Sequence, residues 1–236
     1  MAFSIIDKWS KNNLSAWLPK ACVLCAAHLV DDSGICSACR RDLPWLGASC
    51  RACALPLAAD SAATLCAGCQ RTPVFDHAYA ACHYDEALAW LIGALKFRGR
   101  IHHARPLALL LAGRLTGCDW ASCDLLLPVP LHPRQFRARG FNQAERIAHH
   151  LGRALGVPVV DDALQRRRAT QRQSGLAASE RRANVAGAFV ATADLTGRHV
   201  GIVDDVITTT RTARAVADAA AQAGASVITC LAPARA

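Results

Sequence analysis

The stretch VGIVDDVITTTRTARAVADAA, residues 200–220, decides the fold. Val200, Ile202 and Val203 form an apolar run that ends at two adjacent carboxylates, Asp204 and Asp205. A hydroxyl-rich turn from Thr208 to Thr212 follows, and then an alanine-rich segment of helical character. The order predicts strand, loop, helix. At such a junction the loop N–H groups converge with the positive end of the helix dipole, which makes a phosphate site from main chain. The threonine hydroxyls add donors. Carboxylates at the C-terminal end of the strand repel a phosphate but suit a sugar diol, or a cation carried by the same ligand. The stretch therefore reads as a sugar-phosphate site.

Outward from it, short apolar runs alternate with helices: Leu125 to Val129, a helix over Asn142 to Leu155, Val157 to Val160, then Val200 to Val203 and Val227 to Leu231. Such alternation predicts an α/β fold with a parallel, doubly wound sheet, its ligand crevice outside the C-terminal strand ends. Two more loops fall at that crevice. In the first, Pro128, Pro130 and Pro133 stiffen the chain after a strand, and Arg134, Arg137 and Arg139 are spaced to clamp a polyphosphate before the next helix. Without a ligand the same residues would make a rigid basic turn. The second loop, Arg166 to Asn184, holds six arginines, Ser174 and Gly175, and has the length and polarity of a mobile lid or of a disordered surface loop.

Before the sheet, Ala78 to Tyr84 reads as a short strand, and Leu88, Leu91, Ile92 and Leu95 recur at helical spacing up to Lys96-Phe97-Arg98-Gly99. Lys96 and Arg98 are suited first to oppose the helix dipole as last-turn cations, and Lys96 is also a candidate ligand contact. A second helix is predicted over Ala104 to Leu115. His102, His103, His149 and His150 show no ligand pattern and are expected to be solvated at helix ends.

Eight of the twelve cysteines form four Cys-x-x-Cys pairs: Cys22/Cys25, Cys36/Cys39, Cys50/Cys53 and Cys66/Cys69, separated by ten, ten and twelve residues. Two such knuckles complete a closed tetrahedral zinc site, so the set predicts two structural zinc ions in a small N-terminal zinc-ribbon domain. A disulfide scaffold would need an export signal, which the N-terminus lacks, and a redox motif would need one pair rather than four. Sequential pairing gives two ribbons and interleaved pairing a cross-brace; Pro44, Trp45 and Gly47 look like a break between halves and favour the sequential arrangement. The zinc region is expected over residues 1–72 and the sheet domain over 73–236. Cys82, Cys118, Cys123 and Cys230 are expected to be small core residues.

The chain has 236 residues, 53% apolar and 19% charged, with no apolar run long enough for a membrane span, and it is expected in the cytoplasm. Its formal charge is +9, and eleven arginines against four acids lie between Arg134 and Arg182. Two zinc tetrathiolates would lower the total to about +5, so the arginine-rich segment says more than the net charge does.

In order along the chain, the four Cys-x-x-Cys pairs, Lys96-Phe97-Arg98-Gly99, Pro128-Val129-Pro130, Arg139-Gly140-Phe141-Asn142-Gln143, Thr170 with Gln173, Arg181 with Asn184 and Phe189, and Val203 to Thr209 resemble the ComF family. Its members (ComFC and GntX types) join a zinc-ribbon region to a type I phosphoribosyltransferase-like domain. The resemblance implies that Asp204 and Asp205 bind the ribose hydroxyls of phosphoribosyl pyrophosphate (PRPP) and that Thr208, Thr209, Thr210, Arg211 and Thr212 bind its 5-phosphate. By the same resemblance the loop from Val129 and Pro130 through Arg134 to Arg139 holds pyrophosphate with Mg²⁺, and residues 166–184 are the flexible loop. One position departs from the family, whose loop reads Thr-Thr-Gly-x-Thr; here Thr210 stands where glycine would permit positive φ and close backbone approach.

Three functions follow as expectations. The first is a PRPP-binding protein linked to DNA uptake in natural transformation, with single-stranded DNA and DNA-uptake proteins as partners. Between Arg134 and Arg182 only Phe136 and Phe141 offer stacking platforms for bases. The second is an active phosphoribosyltransferase on an acceptor that the sequence does not specify. The third is a non-catalytic assembly adaptor held together by the zinc domain.

Overall fold

A computed structural model describes residues 20–116, 118, 123–167 and 188–236. The chain forms two packing units, Met1–Leu43 and Pro44–Ala236. The division falls at the Pro44 break, so the second pair of cysteine knuckles packs in the same unit as the sheet.

Within the first unit, the strands β1 (Lys20–Ala21) and β2 (His28–Leu29) pair antiparallel, and a short helix α1 (Ser37–Arg41) begins beside Cys36. In the second unit α2 (Ala67–Arg71) follows Cys66 in the same way. The sheet is built from β3 (His77–His83), β4 (Leu125–Pro128), β7 (His199–Val203) and β9 (Val227–Arg235), in the order β3-β9-β7-β4 and all parallel. A short β8 (Val206–Ile207) pairs with the far end of β9. A separate antiparallel hairpin joins β5 (Leu164–Arg166) to β6 (Phe189–Ala191).

Helices cover both faces, as a doubly wound sheet requires. They are α3 (Glu86–Arg98), α4 (Ala104–Leu115), α6 (Gln143–Leu155) and α7 (Arg211–Gln222), while the short α5 (Pro133–Arg139) buries no residue. Alternation along the strands sorts the two cores. Val200, Ile202, Ile228, Cys230 and Ala232 share one cluster with Val216 and Ala220 of α7. On the opposite face, a Cβ at Gly201 would stand 2.7 Å from Leu126 and 3.2 Å from Leu231, and one at Gly152 of α6 would meet Leu126 as well. At Gly152 the Val157 carbonyl, 2.5 Å from where a Cβ would stand, leaves no room for a side chain, whereas at Gly201 the side chains of Leu126, Cys123 and Leu231 fill that space.

Three expectations need correction. Val157 to Val160 is no strand; only Leu126 and Val159 form a parallel bridge, because Pro158 has no N–H to continue the ladder. The basic segment after β4 is the helix α5 rather than a loop: Pro133 occupies its first turn, the His132 side chain accepts from the Arg134 N–H at 3.2 Å, and Gly140 ends it at φ 81°. His103 is not solvated. It is 1% exposed, its Nδ1 lies 3.2 Å from the Leu91 carbonyl, and burial lowers its pKa. His149 pairs with Asp161 at 2.8 Å. Cys82, Cys123 and Cys230 are buried as expected, whereas Cys118 is half-buried.

Candidate phosphoribosyl site and zinc centres

β7 is buried at every position and delivers Asp204 and Asp205 at its C-terminal end. The Asp204 N–H donates to the Leu231 carbonyl at 2.9 Å, which holds the turn against β9. Asp204 Oδ1 then accepts from the Asp205 N–H at 2.8 Å. Asp205 is 3% exposed and its Oδ2 lies 2.7 Å from Lys96 Nζ. Lys96 thus reaches beyond the end of α3 to neutralise a buried carboxylate. Burial, reinforced by the neighbouring Asp205 charge, pushes the Asp204 carboxyl up to about 7, although the Asp205 N–H and Lys96 oppose it. Arg166 is close enough for its charge to be coupled to Asp204, and its guanidinium stacks 5.3 Å over the Phe189 ring. The first residue of the expected lid is therefore an ordered part of a hairpin beside the site. The rest of that segment, including Thr170, Gln173, Arg181 and Asn184, lies outside the described residues.

Beyond β8 the threonine turn leads into α7, whose first turn has no side-chain cap, so its N–H groups stay open to an anion. Thr208 and Thr209 are exposed, as are Arg211 and Thr212 at the helix start. Thr210 has φ 59° and ψ −3°, the left-handed conformation for which the family's glycine is suited. Its hydroxyl donates to the Thr209 carbonyl at 2.6 Å rather than into the loop. A β-branched residue there carries strain of about 1–3 kcal/mol, against a backbone-entropy cost of glycine of about 0.5–1 kcal/mol. Thr210→Gly is therefore expected to raise stability by roughly 1 kcal/mol; denaturant unfolding with an unchanged slope checks it.

Of the first crevice loop, Val129 is buried, with its N–H on the Val203 carbonyl at 2.9 Å and its carbonyl accepting from Asn142 Nδ2 at 3.0 Å. Its N–H is thus committed to β7, and Pro130 has none to offer. Arg134 sits on the exposed side of α5. Arg139 is half-buried: with Lys96, Phe97, Gln135 and Phe141 it lines a pocket of about 310 Å³, and its guanidinium lies 5.6 Å over Phe97.

A second pocket, about 570 Å³, is lined by Thr208, Thr209 and Thr210 together with Cys53, Cys66 and Cys69, and by Arg71, Arg214 and Arg235. None of these three arginines stands out in the sequence as a site residue. The one available signal was Arg235, a lone cation in an otherwise apolar terminal run.

The cysteines group sequentially. Cys22, Cys25, Cys36 and Cys39 form one cluster and Cys50, Cys53, Cys66 and Cys69 another, with the sulfurs of each within 4.8 Å of one another. Cys25 and Cys36 are 3.7 Å apart at sulfur, and so are Cys53 and Cys66. Tetrahedral zinc with bonds of about 2.3 Å sets sulfur atoms about 3.8 Å apart, so both clusters fit the ion. The Cys36 and Cys39 N–H groups donate to Cys22 Sγ and Cys36 Sγ at 3.4 Å, as thiolate knuckles require. Burial raises the Cys22 thiol, but backbone N–H donors bring it down to about 6, whereas hydrogen bonds to the neighbouring thiols push Cys39 up.

Residues 14–70 match the double zinc ribbon domain family and residues 138–236 the phosphoribosyl transferase domain family. The chain is 35% identical over 219 residues to the DNA utilization protein YhgH of Escherichia coli O157:H7, covering 89% of this chain and 95% of that one. It is 33% identical over 201 residues to competence protein F of Haemophilus influenzae, covering 80% and 85%. The chain belongs to the ComF family. As a ComF protein it carries two four-cysteine zinc sites and a phosphoribosyltransferase-like sheet. No helix among its described residues is long and apolar enough to cross a membrane.

Proposed function

We propose that this ComF protein binds PRPP with Mg²⁺ at the end of β7 and serves DNA utilization. The observation that carries the reading is the Lys96–Asp205–Asp204 cluster set directly before an open threonine turn and helix start. Asp204 and Asp205 would accept from the ribose hydroxyls, and Thr208 to Thr212 would hold the 5-phosphate through main-chain and hydroxyl donors. Mg²⁺ would arrive on the pyrophosphate, where it supplies charge neutralisation of the leaving group. Arg139, beside Lys96 in the smaller pocket, is positioned to assist with the negative charge. The division into a 1–72 ribbon module and a 73–236 transferase module remains part of this reading.

A diol donates to an ionised carboxylate, and Asp204 is only partly ionised at neutral pH. PRPP affinity is therefore expected to rise as the pH rises through about 7, with a proton released on binding, and Asp204→Asn should flatten the dependence. The same raised pKa means that the folded chain keeps a proton the unfolded chain gives up. Asp204 thus lowers stability as pH rises from the ordinary carboxylate range to about 7. Calorimetry of PRPP binding at pH 6 and pH 8, with and without Mg²⁺, tests the reading; PRPP binding that is absent at both pH values removes it.

The link to DNA rests on the names of the relatives and on exposed aromatic side chains paired with arginine. Phe97 is 77% exposed under Arg139, and Arg100 lies 5.9 Å over the partly exposed Trp90. Phe136 is also exposed, whereas Phe141 is buried and is no platform. Bases stacking on Phe97 or Phe136 would give sequence-tolerant binding of single strands. Affinity for an oligonucleotide should fall steeply with salt, and Phe97→Ala together with Phe136→Ala should weaken it; titration by fluorescence anisotropy checks both.

A further inference from the structure

We infer that Arg235 makes the second four-cysteine zinc centre a support of the phosphate turn, so that metal at that centre sets how well the turn holds its ligand. Arg235 is 7% exposed at the end of β9. Its Nε donates to the carbonyl of Cys53, a zinc ligand, at 3.1 Å, and its Nη1 donates to the carbonyl of Ile207 at 3.1 Å. Ile207 is the residue before the threonine turn, and it is the register partner of Arg235 where β8 pairs with β9. One rigid guanidinium thus ties the knuckle to the base of the turn.

A second strut runs parallel to it. Arg214, in the first turn of α7, donates Nη2 to the Pro73 carbonyl at 3.1 Å, where the chain leaves the cysteine centre. Phe75 and Ala78 then donate their N–H groups to the carbonyls of Ala52 and Arg51, at 3.2 and 2.6 Å, which fastens the knuckle to the start of β3. The knuckle needs a metal to keep this shape. Ala54, directly after Cys53, is held at φ 56° and fully buried, a conformation that a non-glycine residue keeps only when its surroundings fix it. Without zinc, four crowded thiols relax, the Cys53 carbonyl moves, and Arg235 loses the anchor from which it positions Ile207. Arg235 is a positioning residue in this account. The first zinc centre belongs to the other packing unit and serves as an internal control.

The test uses the full-length zinc-loaded protein beside Arg235→Met, Cys66→Ser at the second centre and Cys36→Ser at the first. Amide exchange of residues 206–212 should quicken about tenfold in Arg235→Met and in Cys66→Ser, but not in Cys36→Ser, while β4 amides stay protected. Arg235→Met should keep both zinc ions, so it decides the matter if Cys66→Ser fails to fold. PRPP affinity should fall about tenfold in Arg235→Met. By reciprocity, saturating PRPP should slow zinc loss to a chromogenic chelator from one of the two centres in the wild type, and less so in Arg235→Met. Wild-type exchange of the turn in Arg235→Met overturns the inference. The ligand arm rests on the PRPP reading: a wild type that does not bind PRPP removes that reading, and the exchange arm still decides the role of Arg235.

Discussion

Cys50→Ser is expected to lower zinc content from two ions to about one per chain and to unfold the cysteine region around it, taking much of the sheet unit's stability with it. Structural zinc contributes about 10–16 kcal/mol to small cysteine sites at neutral pH, as much as the about 5–15 kcal/mol by which a whole domain is stable. Cys50 is fully buried in a cluster with Ala52, Cys53 and Cys69, and it closes the knuckle through its N–H on Leu55 and its carbonyl on Ala54. The knuckle is in turn bonded to β3 and to Arg235. Cys22→Ser should cost the same one zinc but leave the thermal transition of the Pro44–Ala236 unit nearly unchanged. Zinc counted by chelator titration, together with calorimetric unfolding of both variants, checks the contrast. Equal loss of the sheet transition in both would show that the two centres do not differ as the packing units indicate.

Lys96→Met is expected to destabilise the chain by about 3 kcal/mol, because removing one partner of a buried ion pair strands the other charge. Asp205 has a side chain only 5% exposed and Lys96 one 22% exposed, so little water reaches either. The double variant Lys96→Met with Asp205→Asn should recover most of the loss. A double-mutant cycle by denaturant unfolding measures the coupling, and a coupling near zero would mean that the pair is not a stability element.

Much of the site was legible because its chemistry is local in sequence. Strand, carboxylates, hydroxyl turn and helix follow one another in a single stretch, so Asp204 to Thr212 was readable from spacing and residue type. The same locality applies to the cysteine knuckles. The strained position was legible as well, since a threonine in a slot suited to glycine anticipates the positive φ at Thr210. What the sequence hid was long-range or set by context. Three prolines after β4 suggested a stiff loop, yet Pro133 is compatible with a first helical turn and Gly140 with a stop, so helix α5 forms. His103 looked like a solvated helix-end residue until α3 supplied a carbonyl for it. Lys96 looked like a last-turn cation until the sheet brought Asp205 to it. Arg235 lies 182 residues from its bonding partner Cys53, and no local pattern announces that contact.

The central claim, that Asp204 and Asp205 form the ribose-binding end of a PRPP site, is tested most directly by calorimetry with PRPP and Mg²⁺ on wild type and on the Asp204→Asn, Asp205→Asn double variant. The account predicts measurable binding to the wild type and none to the variant, with both zinc ions and a cooperative unfolding transition retained. Unchanged PRPP affinity in the double variant would contradict it.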